Sequence, residues 1–204
     1  MSDVNAVQVR DLREKTGAGF MDCKRALAEN EGNFDKAVVY LREKGLAAAA
    51  KRSARSASEG VVGSYIHAGG KIGVLVEINC ETDFVARTQE FQTLVKDVAM
   101  QVAAANPRYV RAEEVPADVL EAERSIFRAQ AAGTGKPAAV VEKIVDGKVE
   151  KFLADVCLVQ QPYIKDPQRT VGQLVTDAIA QLGENIVVRR FARFQLGEML
   201  EQSA

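Results

Sequence analysis

Strict alternation over positions 72–80 constrains the fold of this chain more than any other feature. One side of this stretch is apolar throughout and consists of Ile72, Val74, Val76, Ile78 and Cys80. Side chains that alternate with a period of two are typical of a β-strand with one buried face. Ala68-Gly69-Gly70 comes directly before it, and glycine accepts the positive φ of a tight reversal. We therefore expect a hairpin of strands 61–67 and 71–80.

Helical periodicity follows this hairpin at three places. The first helix is predicted over about residues 88–105, with an inward stripe of Phe91, Leu94, Val95, Val98 and Val102. Pro107 prevents its continuation. A second helix is predicted over about 117–130, after Pro116, and turns inward Leu120, Ile126 and Phe127. A third amphipathic pattern runs from Pro137 to about Val159, although Gly147 lies near its middle.

The last part of the chain returns to a strand. Residues 162–167, bounded by prolines, are expected to form an extended loop. Thr170 and Gln173 make a capping-box pattern at the start of a helix that ends near Gly183. Alternation over about 185–197 then predicts a strand in which one face is apolar except for Arg190. This face carries Ile186, Val188, Ala192, Phe194 and Leu196, and the other carries Arg189, Arg193 and Gln195. Two early strands and a final one, with helices between them, describe an α+β domain with a small antiparallel sheet covered by helices.

The N-terminal segment is predicted to form three short helices. The first covers about residues 4–15 and ends at Gly17; the second covers about 21–30. Asn33 caps the third helix, which Gly45 is expected to end. The inward side chains of this bundle are predicted to be Val9, Leu12, Ala26, Leu27, Phe34, Ala37, Val38 and Leu41. Such a bundle buries little area by itself.

The composition changes to Ala, Ser, Lys and Arg after the third helix. Because this stretch has almost no large apolar side chain to bury, it is predicted to be a linker, partly helical. The expected organisation is a three-helix domain over 1–46, a linker over 47–60 and an α+β core domain over 61–204. The linker carries the basic residues Lys51, Arg52 and Arg55, which suit a solvated spacer or an RNA contact.

Composition argues against several classes of function. The chain has 27 Lys and Arg against 28 Asp and Glu, a net charge of −1, so it has no general attraction to nucleic acid or anionic lipid. Three scattered cysteines and one histidine, His67, do not suggest a zinc site or an imidazole base. The loop 133–136 lacks the glycine spacing of a phosphate-binding loop. No signal peptide or membrane-spanning run is visible, which favours a cytoplasmic location. We expect a binding protein without a cofactor rather than an enzyme.

Two large apolar side chains, Phe20 and Met21, follow the glycines of Gly17-Ala18-Gly19. This spacing predicts that both lie at a loop tip between the first two helices. They then either fill the core of the small bundle or form an exposed apolar contact for a partner protein. The sequence pattern leaves both interpretations open.

A second notable segment, Thr82-Asp83-Phe84-Val85, joins the alternating strand to the next helix. One interpretation is local: Thr82 or Asp83 caps the helix and Phe84 packs beneath it. The other is that a rigid strand-to-helix corner presents Asp83 and Phe84 to another protein, where they open an apolar seam and disturb a cation.

Several segments resemble the bacterial elongation factor Ts family. Residues 9–27 (VRDLREKTGAGFMDCKRAL) are similar to its N-terminal signature, and residues 77–87 (EINCETDFVAR) to its second signature. Residues 170–174 (TVGQL) and 189–198 (RRFARFQLGE) are similar to further family segments. The likeness extends over nearly the whole chain.

This resemblance implies a ubiquitin-associated-like three-helix domain, a linker and a core domain. It also implies nucleotide exchange on elongation factor Tu, the GTPase that delivers aminoacyl-tRNA to the ribosome. The segment Thr82–Val85 would dislodge Mg²⁺ from the GTPase, with Phe84 as a wedge and Asp83 acting on the water network of the metal. Phe20 and Met21 would contact the nucleotide domain. No membrane or direct nucleic-acid contact is expected.

The length of the chain indicates a short form of the family. Longer members carry a second core subdomain and a helical hairpin insert, and 204 residues suggest that both are missing here. The resemblance leaves a homodimer open. Two competing functions are an adaptor that uses only the three-helix domain, and an RNA-binding protein that uses the linker cations together with Arg189, Arg190 and Arg193.

Overall fold

The computed structural model describes residues 4–133 and 136–198, and it is an α+β structure. Its helices are α1 (Ala6–Thr16), α2 (Phe20–Glu29), α3 (Phe34–Arg52), α4 (Asp83–Ala86), α5 (Gln89–Ala105), α6 (Ala117–Ala132), α7 (Ala138–Val156) and α8 (Val171–Leu182). Its strands are β1 (Glu59–Ile66), β2 (Ile72–Cys80), β3 (Pro162–Tyr163), β4 (Asp166–Thr170) and β5 (Val187–Gln195). The loop predicted at 133–136 includes residues 134 and 135, which lie outside the described residues.

The chain divides into two compact units. The first combines Met1–Val62, Glu77–Val95 and Gln173–Val188, and the second combines Gly63–Val76, Lys96–Gly172 and Arg189–Ala204. Both units are therefore assembled from segments that are distant in sequence. The predicted division into domains at residues 46 and 60 stays a prediction.

Helices α1 to α3 enclose a small core in the first unit. Its buried members are the predicted Val9, Leu12, Ala26, Leu27, Ala37 and Leu41, joined by Cys23. Gly17 ends α1 in the left-handed conformation at φ 67°, and the Asn33 side chain accepts a hydrogen bond from the Lys36 N–H at the start of α3. The stop and cap signals of the sequence are thus confirmed at these two positions.

The prediction that Gly45 ends the third helix is wrong. Helix α3 continues through Gly45 to Arg52, so residues 47–52 of the predicted linker are helical. A Cβ built on Gly45 would lie 3.4 Å from the Cβ of Ala180 on α8. Gly45 therefore provides room for a close helix contact, and the alanines after it favour helix because alanine has the highest helix propensity.

The main sheet has three strands in the order β1-β2-β5. The Ala68-Gly69-Gly70 turn has the predicted positive φ, 90° at Gly69 and 68° at Gly70. The predicted apolar side of β2 is confirmed at its buried members Val74, Val76, Ile78 and Cys80.

Beyond Val188, the apolar face predicted for β5 is turned toward solvent. Phe194 and Leu196 are exposed, whereas the Arg193 side chain is only 9% exposed. The Arg193 guanidinium donates to the Ala103 carbonyl from Nε at 3.4 Å. An arginine can lie inward here because its polar end meets a free carbonyl of α5 while its stem covers apolar surface.

Helices α6 and α7 pack against each other as a helical hairpin. The helices predicted over about 117–130 and from Pro137 to about Val159 are both present, as α6 and α7. Ion pairs join the two helices, from Arg128 Nε to Glu142 Oε1 at 2.8 Å and from Arg124 to Asp146 at 3.1 Å. The predicted inward position of Ile126 is wrong, because Ile126 is exposed. Helix α7 is unbroken through Gly147.

The segment predicted as an extended loop is a short hairpin, in which β3 pairs antiparallel with β4. Buried polar side chains of α5 hold it. The Asp97 carboxylate accepts from Tyr163 Oη and Lys165 Nζ, both at 2.6 Å, and Gln101 Oε1 accepts from the Ile164 N–H at 2.9 Å. Burial and the hydrogen bond to Asp97 raise the pKa of the Tyr163 hydroxyl.

Candidate functional site

The corner that follows β2 contains a one-turn helix with its own cap. Thr82 has extended backbone, and its Oγ1 accepts a hydrogen bond from the Val85 N–H at 3.3 Å. Helix α4 (Asp83–Ala86) follows, and the Thr88 hydroxyl then accepts from the Phe91 N–H at 3.3 Å at the start of α5. Thr82 therefore caps α4 and Thr88 caps α5, so the two helices are separate elements.

The four residues Thr82 to Val85 face different environments. Val85 is buried, together with Ala86, and anchors α4 to the core. Phe84 instead exposes 77% of its surface. The interpretation that Phe84 packs beneath the helix is therefore wrong. Thr82 is a cap as predicted, but it caps the additional short helix α4, and Thr88 caps the helix predicted over about 88–105. The corner presents a large aromatic ring to solvent from a backbone that is fixed on both sides.

The Asp83 carboxylate forms an exposed ion pair. Its Oδ2 atom lies 2.7 Å from Arg87 Nη2, one turn later in the chain. Both side chains are more than half exposed, and such pairs stabilise by at most about 1 kcal/mol because water screens them. The Asp83 carboxylate can therefore leave Arg87 for another partner at a small cost in free energy.

Glu184, a residue that sequence reasoning did not single out, holds the corner from a distant part of the chain. Its Oε2 atom accepts from the N–H groups of Glu81 and Thr82, each at 3.0 Å, and its Oε1 atom accepts from the Thr82 hydroxyl at 2.6 Å. Gly183, at φ 78°, ends α8 and turns the chain toward the corner. The sequence signal was weak, since it consists only of a polar pair, Glu184 and Asn185, after a helix-ending glycine.

Asn185 completes the connection. Its N–H donates to Glu81 Oε1 at 2.6 Å, and its Nδ2 donates to the Arg55 carbonyl at 2.8 Å. Arg55 in turn lies 3.5 Å from Glu81 Oε1. Asn185 is only 4% exposed, so its amide is buried but satisfied. We call Glu81, Thr82, Glu184 and Asn185 the carboxylate clamp, because each glutamate accepts backbone N–H groups from the other's segment.

Cys80 lies inside this arrangement. Its Sγ donates to the Thr82 carbonyl at 3.1 Å. Burial, reinforced by the negative charge of Glu184, raises the pKa of the Cys80 thiol. Burial likewise raises the pKa of Cys23 and of Cys157. These thiols are therefore protonated at neutral pH and chemically quiet.

Phe20 and Met21 form a second exposed apolar surface in the first unit. They are the first two residues of α2, 50% and 65% exposed respectively. They do not lie at a loop tip as predicted, and they do not fill the bundle core, which other side chains occupy. Asp22, next in the helix, bonds to Lys44 of α3 at 2.8 Å, and this hydrogen bond lowers the pKa of Asp22.

The described residues offer little else for chemistry. His67 is exposed at the end of the first hairpin, and its Nδ1 lies 3.1 Å from the Tyr65 hydroxyl. Within residues 4–133 and 136–198, no three His, Cys, Asp or Glu side chains group as a metal site. No helix of this part of the chain is long and apolar enough to cross a membrane.

Comparison with known proteins gives one consistent result. A family model described as "Elongation factor TS" matches residues 30–198. The chain is 60% identical to "Elongation factor Ts" of Geobacter sulfurreducens over 98% of its own length and 92% of the relative's. It is 61% identical to the protein of the same name from Carboxydothermus hydrogenoformans, over 97% of this chain and 91% of that one. With the Caldanaerobacter subterraneus protein of that name it shares 59% identity over 98% of this chain and 100% of the relative.

Proposed function

Because this chain belongs to the elongation factor Ts family, we infer that it promotes guanine-nucleotide exchange on translation elongation factor Tu. Its role is in protein biosynthesis, at the elongation step. The single observation that carries this inference is the match in family over almost the entire length of the chain, including the corner that contains Thr82 to Val85. We further propose that the protein acts in the cytoplasm, without a cofactor, and catalyses no chemical reaction itself.

Exchange of this kind follows from thermodynamic linkage. A protein that binds the empty GTPase more tightly than the nucleotide-loaded GTPase must weaken nucleotide binding by the same factor. Mg²⁺ bridges the phosphates to the GTPase and neutralises their charge, so disturbing its surroundings loosens GDP and GTP alike. The ratio of free GTP to GDP then sets the direction of exchange.

The four residues of the corner have different proposed roles. Phe84 enters an apolar seam of the GTPase, which its exposure supports. Asp83 acts on the water network of the metal, and its weak pairing with Arg87 leaves its charge available. Thr82 and Val85 contribute indirectly, since Thr82 caps α4 and Val85 anchors it.

Phe20 and Met21 are proposed to contact the nucleotide domain of the GTPase. Their exposure at the start of α2 supports this role, because isolated large apolar side chains at a surface are suited to a protein contact. The proposed organisation keeps a ubiquitin-associated-like three-helix domain over 1–46, a linker over 47–60 and a core domain over 61–204 whose sheet is covered by helices. The non-helical part of this linker is short, because α3 ends at Arg52 and β1 begins at Glu59.

A homodimer is proposed through the outward side of the second unit's strands. The Lys71 carbonyl accepts from the Leu196 N–H at 2.8 Å, and the Ile72 carbonyl from the His67 N–H at 2.9 Å. This register places exposed apolar side chains beside each other across the strands, namely Ile66, Leu75, Phe194 and Leu196. An open apolar sheet face can be covered by the same face of a second copy.

Leu75→Arg should convert a dimer into a monomer by analytical ultracentrifugation, and an unchanged sedimentation coefficient would refute this interface.

Stopped-flow fluorescence of labelled GDP bound to elongation factor Tu tests the exchange function. Adding this protein should accelerate GDP release by orders of magnitude in proportion to its concentration before saturation. A release rate that does not depend on this protein would refute the proposed function. The nucleotide dissociation constant should rise in parallel, as reciprocity requires.

A further inference from the structure

We propose that Glu184 is a positioning residue for nucleotide exchange. Its carboxylate fixes the direction in which α4 presents Phe84 and Asp83 to the GTPase. This inference rests on the proposed exchange function, and it assigns to that function a residue outside the segment Thr82 to Val85. The three hydrogen bonds that the Glu184 carboxylate accepts all come from the beginning of the corner.

The corner needs an external support because α4 is too short to hold itself. It has only four residues, and one helical turn is unstable in water without tertiary contacts. The Thr82 side chain supplies a single capping bond to Val85 at 3.3 Å. Val85 and Ala86 fix the buried side of the turn, and Gln92 Nε2 donates to the Ala86 carbonyl at 2.7 Å. These contacts hold the C-terminal part of α4, and its N-terminal end, where Asp83 and Phe84 begin, needs a second fixed point.

Glu184 supplies that second point at the N-terminal end of the turn. Its Oε1 accepts the Thr82 hydroxyl proton, which leaves a lone pair of the same oxygen of Thr82 for the Val85 N–H. The Thr82 hydroxyl therefore connects the Glu184 carboxylate to the first turn of α4. The Glu81 and Thr82 N–H groups, which both bond to Glu184 Oε2, fix the backbone immediately before that turn.

Glu184 is itself held in place from the other side of the carboxylate clamp. The Asn185 N–H donates to Glu81, and the Asn185 side chain donates to the Arg55 carbonyl. Arg55 also places a positive charge near Glu81, which balances the two carboxylates brought together. Each half of the clamp thus depends on the other, and the corner is fixed as a unit.

The test combines an exchange rate with a spectroscopic reporter of the corner. Glu184→Ala removes all three hydrogen bonds, whereas Glu184→Gln retains one acceptor oxygen for the backbone N–H groups and an amide that can donate to Thr82 Oγ1. Glu150→Ala, an exposed glutamate on α7, is the matched control. Two quantities are measured for each full-length variant. They are the maximal rate of GDP release from elongation factor Tu and the concentration of the variant that gives half of that rate.

We expect Glu184→Ala to lower the maximal rate by at least about tenfold, since misplacing a reacting group by about 1 Å can cost more than that. The half-saturating concentration should stay within about twofold, because the surface of Phe20 and Met21 is unchanged. Glu184→Gln should restore the rate to within about threefold of the unaltered protein. A Glu184→Ala rate like that of Glu150→Ala, or a change only in half-saturating concentration, would overturn the proposal.

A fluorescent reporter at the corner distinguishes a failure of the positioning role from a failure of the exchange function. The sequence contains no tryptophan, so Phe84→Trp places a single indole at the corner. In this background Glu184→Ala should lower the fluorescence anisotropy of the indole while far-UV circular dichroism is retained, and Glu184→Gln should not. Unchanged anisotropy would overturn the positioning role whether or not exchange occurs. If the protein without substitutions fails to accelerate GDP release, the exchange function itself is refuted.

Discussion

Truncation of the Phe84 side chain is the perturbation that most directly addresses the proposed function. Phe84→Ala removes a ring that is 77% exposed in the free protein and, by our proposal, buried in the GTPase at the transition state for GDP release. Full burial of a phenylalanine side chain is worth about 1.5–3 kcal/mol. Scaling this range by the exposed fraction gives about 1.2–2.3 kcal/mol of lost stabilisation.

That free energy corresponds to a reduction of about 8- to 50-fold in the GDP release rate, at about 1.4 kcal/mol per factor of ten. The effect on folding should be much smaller. Less than a quarter of the ring is buried in the free protein, so the free energy of unfolding should fall by less than about 0.7 kcal/mol. A large loss in the GDP release rate with a small loss in the free energy of unfolding is expected of a residue that contacts the partner.

The assay is stopped-flow release of labelled GDP, with urea denaturation of the same preparations. Ile164→Ala, which truncates an exposed apolar side chain on the β3–β4 hairpin, is the matched control and should leave the rate within about twofold. A Phe84→Ala rate equal to that of the control would refute the wedge. Loss of folded structure in Phe84→Ala would show instead that the ring has a structural role.

Four further predictions address other parts of the molecule. Met21→Ala should raise the concentration for half-maximal GDP release by about three- to tenfold and leave the maximal rate unchanged, as expected for a contact made equally throughout exchange. Arg87→Ala should change the maximal rate by less than about fivefold, because its exposed pair with Asp83 is worth no more than about 1 kcal/mol; complete loss of exchange would mean that Arg87 itself contacts the GTPase. The three buried thiols should react slowly with a disulfide reagent at pH 8, since burial raises the pKa of each, and all should react rapidly in guanidinium; fast reaction of the folded protein would contradict the buried positions of Cys23, Cys80 and Cys157. The raised pKa of Tyr163 contributes stability that is complete below about pH 10 and is lost as the pH rises further, so Tyr163→Phe should cost about 1–3 kcal/mol at pH 7 and reduce the loss of stability above pH 10 in urea denaturation; an unchanged midpoint at pH 7 would argue against the bond to Asp97.

Local patterns in the sequence predicted most of the secondary structure. The period-two alternation of β2, the apolar stripe of α5 and the caps at Gly17 and Asn33 are properties of neighbouring residues, and the structure confirms each of them. The same local reasoning failed at Gly45, because the reason for that glycine is its contact with Ala180 on a helix much later in the chain. The burial of Arg193 likewise depends on a distant segment, since the carbonyl to which it donates belongs to α5.

The candidate site shows the same division. The cap at Thr82 is local and could be predicted, and the family resemblance identified the residues around it. The direction of Phe84 depends on tertiary contacts, so the sequence left its burial open, and Glu184 could not be found by spacing at all. A carboxylate that bonds to backbone N–H groups leaves no residue pattern at its partners, since every residue except proline has such a group.

The carboxylate clamp also has a consequence for how the protein acquires its active shape. Its bonds join residues that are 102 to 104 positions apart, whereas the helices and the first hairpin require only near neighbours. Contacts between such distant segments close late in folding, because the intervening chain must first lose its freedom. During synthesis the Thr82–Val85 segment therefore emerges long before Glu184 exists to support it. Order at this corner is completed only when nearly the whole chain has been made, so an interrupted translation product would carry the segment without its fixed presentation.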